Sequence, residues 1–271
     1  MDAGLLGPSG TRARVSDGAG VDPCVLIPIY DHGREIREVV KALVSYSLPC
    51  LIVDDGSHAE TRAVLDELER DFPFVEVHRH ERNRGKGAAL KTGYRIARDR
   101  GYSHAIQLDA DGQHDTTDLP RFVAAMEADP EALVLGAPRF DRTVPWIRLT
   151  ARQVSRVAIW LTTLSFDVED PLCGFRGIPL RSTLERIDAV ATGSHMEFEP
   201  ELVVRLFWDG LGVVNVPTRV VYRVGGLSHF HYVRDNQRIL GLYLRLVAGM
   251  VVRSPELVRR RMQRGRRGGR R

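Results

Sequence analysis

Residues 25–57 read VLIPIYDHGREIREVVKALVSYSLPCLIVDDGS. An apolar run at 25–29 is followed by apolar residues at helical spacing over 35–45 and by a second apolar run at 50–53 that ends on paired aspartates. Strand, helix, strand is the pattern of a βαβ unit in a mainly parallel sheet. Outward from this stretch the alternation continues. The spacing predicts a helix over 59–70, a strand over 74–78, a helix from Gly87 to about residue 100 and a strand over 105–108. A helix over 119–128 and a strand over 132–135 follow. The expected class is α/β, a mainly parallel sheet flanked by helices, in one domain over 22–238.

Composition agrees with a folded domain: 271 residues, 43% hydrophobic and 27% charged, exclude a short peptide scaffold, a collagen and a wholly disordered chain. The formal net charge of +4 is unevenly spread. Residues 253–271 hold nine arginines and one glutamate, so residues 1–252 carry about −4. A nucleic-acid-binding body is therefore not expected, although the tail suits RNA without sequence specificity. Cys24, Cys50 and Cys173 are odd in number and far apart, which suggests neither a disulfide framework nor zinc, and reads as reduced core thiols in a cytosolic protein. Residues 1–21 read as a mobile leader, with no apolar run long enough for a signal peptide. No window reaches the about 18 apolar residues of a membrane span. The nearest, ILGLYLRLVAGMVV at 239–252, is broken by Arg245. Two readings stay open for it: a terminal helix packed on the body, or an interfacial helix held with the Arg-rich 253–271 tail on anionic lipid.

Ligands of open α/β sheets bind beyond the carboxyl ends of the strands, and the residues there are chemically unusual. Strand one is followed by Tyr30-Asp31-His32-Gly33, strand two by Asp54-Asp55-Gly56-Ser57, and the fourth by Asp109-Ala110-Asp111-Gly112-Gln113-His114. Two aspartates spaced by one residue at a strand end let oxygens reach one cation, and an oxygen-only set favours Mg²⁺ or Mn²⁺ over zinc. Asn83-Arg84-Gly85-Lys86-Gly87 precedes a helix. It fails the Walker A pattern, with His80 where a glycine belongs and Gly87 after the lysine, and fails the Rossmann fingerprint at Leu90. What survives is a helix N-terminus with a lysine beside an anion, or a turn with a solvated lysine. Asp54 and Asp55 suit acceptance of hydrogen bonds from a base or ribose, or an Asx turn.

Together the motifs VLIPIYDHG, LIVDDGS, ERNRGKGAALKTG, QLDADGQH, LGAPRF, DPLCGFRGIPL and RVGGLSHF resemble the family 2 glycosyltransferases of GT-A fold, in particular the dolichol- and polyprenyl-phosphate sugar transferases, over about residues 23–239. The resemblance implies that Pro28, Tyr30, Asp54 and Asp55 border the nucleotide and that Lys86 approaches it. Asp109 and Asp111 would hold a divalent metal on the diphosphate, with Gln113 as a further ligand. Arg139 and Arg223 would face phosphate, with Arg152 a weaker candidate against an ordinary salt bridge, and the loop carrying Ser228, His229 and Phe230 would close over phosphate.

It further implies an inverting single displacement from a nucleotide-diphosphate sugar, GDP-mannose or a UDP-hexose, to a lipid-linked or polyprenyl-phosphate acceptor. That would take place at the inner membrane face with peripheral contact through 239–271. No covalent nucleophile is needed, so Cys173 is not nominated. For a hydroxyl acceptor Asp170 or Glu169 would take the proton; for an ionised phosphate no base is needed and Asp170 would orient. Glu197 and Glu199 suit either an acceptor site or a helix start. Asp31 stands where the family usually has Asn, which leaves the donor open. The rival readings are the same donor chemistry on a soluble or glycan hydroxyl, and a non-catalytic docking protein.

Overall fold

In the computed structural model, residues 20–139, 146–220 and 232–268 are described. Strand β1 (Pro23–Ile29) leads through α1 (Gly33–Leu43) to β2 (Cys50–Asp54), then α2 (Ala59–Asp71), β3 (Val75–Arg79), α3 (Lys86–Asp99) and β4 (His104–Gln107). These are the elements read from the alternation, displaced by a residue or two. Then come α4 (Leu119–Ala128), β5 (Leu133–Arg139), α5 (Trp146–Thr163), β6 (Arg176–Pro179), α6 (Leu180–Ala189), α7 (Phe198–Asp209), β7 (Val213–Arg219) and α8 (Tyr232–Gly268).

The seven strands form one sheet in the order β3-β2-β1-β4-β6-β5-β7. All neighbours are parallel except β6, which runs antiparallel to both β4 and β5. The carboxyl ends of β1, β2, β4, β5 and β7 therefore share one edge.

Both faces of the sheet are covered, which explains why β1 is apolar throughout. Cys24 and Leu26 join the layer formed with Leu90, Tyr94 and Ala97 of α3, Leu184 of α6, Val203 of α7 and Leu246 of α8. Val25, Ile27 and Ile29 point the other way, onto Ile36, Val40 and Leu43 of α1, Leu65 of α2 and Phe122 of α4. Each buried Val, Leu, Ile or Phe among these stabilises the fold by about 1.5–3 kcal/mol. Pairing of β1 with β4 ends at Leu26–Gln107, so Pro28 lies beyond the doubly paired stretch and its missing N–H is tolerated.

All three cysteines are free and buried, as expected; burial pushes the thiols of Cys24 and Cys173 up to about 12. The segments 239–252 and 253–271, distinguished by composition, lie on the single helix α8 as far as Gly268. Pro255 sits inside it and has no N–H to offer the Val251 carbonyl, which instead accepts from Ser254 Oγ at 2.9 Å. Among the described residues no helix is long and apolar enough to cross a membrane. Most of the leader, together with Arg223, Ser228, His229 and Phe230, lies outside the described residues.

Candidate active site

The loops after β1 and β2 are tied together. Asp31, at φ 55°, accepts from the His58 backbone N–H at 2.8 Å, lies 2.6 Å from His58 Nδ1, and donates its own N–H to Ser57 Oγ at 3.0 Å. The Asp31 carboxylate thus has a local structural task. Tyr30 is half-buried, its ring tilted against His58. Asp54 is fully buried; its Oδ1 accepts from Ser57 N–H at 2.8 Å, while its Oδ2 has no hydrogen-bond partner. That buried acceptor suits a base or ribose donor.

Asp55 differs. It accepts from the backbone N–H groups of Arg84 and Gly85 and pairs with His80 Nδ1 at 2.7 Å, and His80 Nε2 in turn lies 3.0 Å from Thr92 Oγ1. Its oxygens organise the loop before α3, and the expectation that Asp55 borders the nucleotide becomes one of indirect support. Gly56, at φ +79°, approaches the Arg82 backbone so closely that a Cβ would lie 2.5 Å from it.

The lysine of that loop is not free either. Lys86 opens α3 and places Nζ 2.7 Å from Asp109 Oδ1 and 2.7 Å from Glu199 Oε2. The Ala88 N–H at the same helix start donates to Ser194 O at 2.9 Å. The helix end read as an anion site has thus part of its donor set turned onto α7 and the aspartate pair. A buried chain of contacts continues from it. Gln107 Nε2 donates to Glu199 Oε1 at 2.6 Å, Tyr94 Oη donates to Gln107 Oε1 at 2.9 Å, and Arg176 Nη1 donates to the Glu199 carbonyl at 3.1 Å.

Asp109 and Asp111 stand where β4 opens into its loop. For Asp109, burial works upward, but the Lys86 ammonium and the nearby His114 ring, 3.7 Å from Oδ2, outweigh it and hold the carboxyl well below the usual carboxylate range. For Asp111, burial first and the Asp109 charge second push the carboxyl up. A divalent cation would relieve that repulsion. Asp111 Oδ1 accepts the Gln113 N–H at 3.0 Å, which turns the loop back on itself. Among the described residues no three His, Cys, Asp or Glu side chains converge as a metal cage. The two carboxylates suit a hard cation that keeps open positions for diphosphate oxygens and water, and Gln113 meets Asp111 through its backbone N–H.

The loop between α5 and β6 closes on these aspartates. A Cβ on Gly174 would lie 2.0 Å from Asp109 Oδ2. Gly174→Ala is therefore expected to displace the carboxylate and weaken Mn²⁺ binding at least about tenfold in calorimetry; unchanged affinity would show that Asp109 Oδ2 is not a ligand. Arg176, 1% exposed, holds the loop's shape by donating to Pro171 O and Cys173 O, both at 2.7 Å. Asp170, also buried, accepts from Arg152 Nη1 at 2.6 Å through Oδ2 and from Leu172 N–H at 2.8 Å through Oδ1. Arg152 is thus the salt-bridge partner, and Asp170 has both oxygens engaged.

Arg139 ends β5 in an exposed position at the strand edge that carries the aspartates, with Arg219 of β7 as its register partner. Glu197 has one oxygen on the Ser194 and His195 N–H groups and the other, Oε2, buried with no hydrogen-bond partner. Three residues escaped the sequence reading as site residues: Gln107, Arg176 and Arg219. The first two lie inside quoted motifs, and only their burial reveals their task.

A model described as Glycosyl transferase family 2 matches residues 24–181. The polyprenol monophosphomannose synthase of Mycolicibacterium smegmatis is 34% identical, over 78% of this chain and 85% of that protein. The UDP-N-acetylglucosamine–dolichyl-phosphate N-acetylglucosaminyltransferase of Methanococcus voltae is 26% identical, over 84% and 97%. Among solved structures, glucosyl-3-phosphoglycerate synthase from Mycobacterium tuberculosis, in complex with Mn²⁺, UDP-glucose and phosphoglyceric acid, superposes with a TM-score of 0.60 at 18% identity, covering 84% of this chain and 80% of that one.

Proposed function

The chain belongs to glycosyl transferase family 2, and on that premise we propose that it moves a hexose, with inversion, from GDP-mannose or a UDP-hexose to a polyprenyl-phosphate or related lipid-phosphate acceptor. The activities for which the mycobacterial and methanogen relatives are named support the acceptor class.

The observation that carries the choice of acceptor is the state of Asp170. With Arg152 on one oxygen and the Leu172 N–H on the other, it is poorly placed to take a proton from a hydroxyl. An ionised phosphate needs no base. Asp170 then positions Arg152 and the 170–175 loop instead of acting as a general base.

Asp109, Asp111 and Gln113 would hold Mn²⁺ or Mg²⁺, which when bound supplies charge stabilisation to the departing nucleoside diphosphate. Lys86 and Glu199 orient Asp109, Asp54 Oδ2 accepts from the nucleoside, and Arg139 with Arg219 adds positive charge where the diphosphate charge develops.

The test offers radiolabelled GDP-mannose and UDP-hexoses, with Mn²⁺, to polyprenyl phosphate and to the free polyprenol. Labelled lipid is expected from the phosphate alone. Transfer to a hydroxyl acceptor, abolished by Asp170→Asn, would instead favour the general-base reading.

A further inference from the structure

Of the large hydrophobic side chains exposed among the described residues, all but Val44 lie on α5, α8 or the loop after α5. On α8 they recur as Leu240, Leu244, Val247 and Val251, then Val258 and Met262, a helical stripe. The stripe lies apart from Leu242, Leu246 and Leu257, which the helix buries against the domain. On α5, Val154, Val157 and Leu161 make a second stripe, turned away from the buried Ile159. Helices α5 and α8 pack on each other. Phe166, 66% exposed, joins them: its ring stands edge-on to Trp160 of α5 and under the Arg261 guanidinium of α8.

The two helices that form this face are strongly cationic in sequence. Residues 146–163 contain three arginines and no acidic residue, and residues 232–268 contain ten arginines and two acidic residues. We infer that the α5–α8 face is a docking surface for an anionic lipid bilayer. The valines, leucines and Phe166 enter the acyl boundary, and arginines such as the exposed Arg245 and Arg259 meet lipid phosphates.

Charge selects this occupant. A second copy meeting this face symmetrically would bring one arginine-rich surface against another. RNA would answer the arginines and leave the apolar stripes in water. The face also leads to the site: the loop that exposes Phe166 reaches the aspartate pair at Gly174 eight residues later. In this respect the inference rests on the lipid-phosphate reading, because docking here sets the loop above the aspartates at the bilayer surface.

The test is flotation of the full chain with vesicles of phosphatidylcholine, or of equimolar phosphatidylcholine and phosphatidylglycerol. The variant combines the exposed changes Leu161→Ser, Leu244→Ser and Val251→Ser. We expect binding to the anionic vesicles, weakened at least about tenfold in the variant and strongly reduced by Arg245→Gln with Arg259→Gln. Metal-dependent nucleotide binding should stay unchanged in both variants. Absence of flotation, or equal flotation of wild type and triple variant, overturns the inference. So does a dimer in sedimentation velocity that the triple variant dissociates, or RNA binding that the same changes leave intact without flotation. Flotation without sugar transfer would overturn the proposed reaction and leave the docking surface standing.

Discussion

Asp111→Asn is expected to lower kcat/KM by at least about a hundredfold while leaving the fold intact. The substitution removes one of the two carboxylates at the mouth of β4 and keeps its size. Its effect on stability should run the other way. Burial and the Asp109 charge raise the Asp111 carboxyl in the folded state. The folded chain therefore binds that proton more tightly than the unfolded chain. The resulting destabilisation is absent at low pH and fully present once pH exceeds the folded value. At neutral pH the variant without metal should melt no lower than wild type, yet lose the rise in Tm that Mn²⁺ with nucleotide produces in wild type. Melting curves with and without Mn²⁺, beside steady-state kinetics, check both parts. A variant that keeps the Mn²⁺-dependent rise would remove Asp111 from the metal site.

Arg176→Met should cost about 3–5 kcal/mol, the range for breaking a buried charged network from one side. The guanidinium donates to the carbonyls of Pro171, Cys173 and Glu199, and methionine fills much of the space but satisfies none of them. For a chain of this length the loss corresponds to a fall in Tm of roughly 10 °C. Arg176→Lys is expected to recover little, since an ammonium on a flexible stem cannot reproduce the planar fork that reaches three acceptors. Because the same contacts shape the loop carrying Gly174, Mn²⁺ affinity measured well below the melting point should fall as well. A methionine variant melting within a degree or two of wild type would show that the loop holds itself.

The first half of the fold was legible because β1 and β2 are apolar on both faces and the loops after β1, β2 and β4 carry aspartates. Both features are local in the chain, and α1 to α4 and β1 to β4 fall within a residue or two of their expected bounds, whereas β5 runs on to Arg139, four residues past the end expected for it. The second half was harder to read. Strand β6 is four residues long and contains a glycine, a proline and a buried arginine, a composition that no strand pattern selects. Helix α7 buries Glu199 and Glu201 along with its apolar residues. The division of 239–271 at residue 252 followed composition, whereas the backbone follows hydrogen bonding, and Ser254 bridges the gap that Pro255 leaves.

In the candidate site, Asp109, Asp111 and Asp54 stand at the expected edge of the sheet. Lys86 and Asp55 were legible as site residues but not in their tasks, because charge type alone does not say whether a side chain meets a ligand or a neighbour from another part of the chain. Their partners, Glu199 for the lysine and the Arg84 and Gly85 amides for the aspartate, are matters of tertiary packing.

The antiparallel strand between β4 and β5 also sets an order of assembly. As the chain emerges, β3, β2, β1 and β4 can pair with one another, but the outer edge of β4 is satisfied only when residues 176–179 arrive. Until then β5 has neither of its neighbours, since β6 and β7 both lie later in the chain. The nascent protein carries an open sheet edge across just over seventy residues of synthesis, from His104 to Arg176, a period in which a chaperone has reason to attend it. The strand that closes this edge directly follows the Gly174 loop against Asp109, so completion of the sheet also brings that loop onto the aspartate pair.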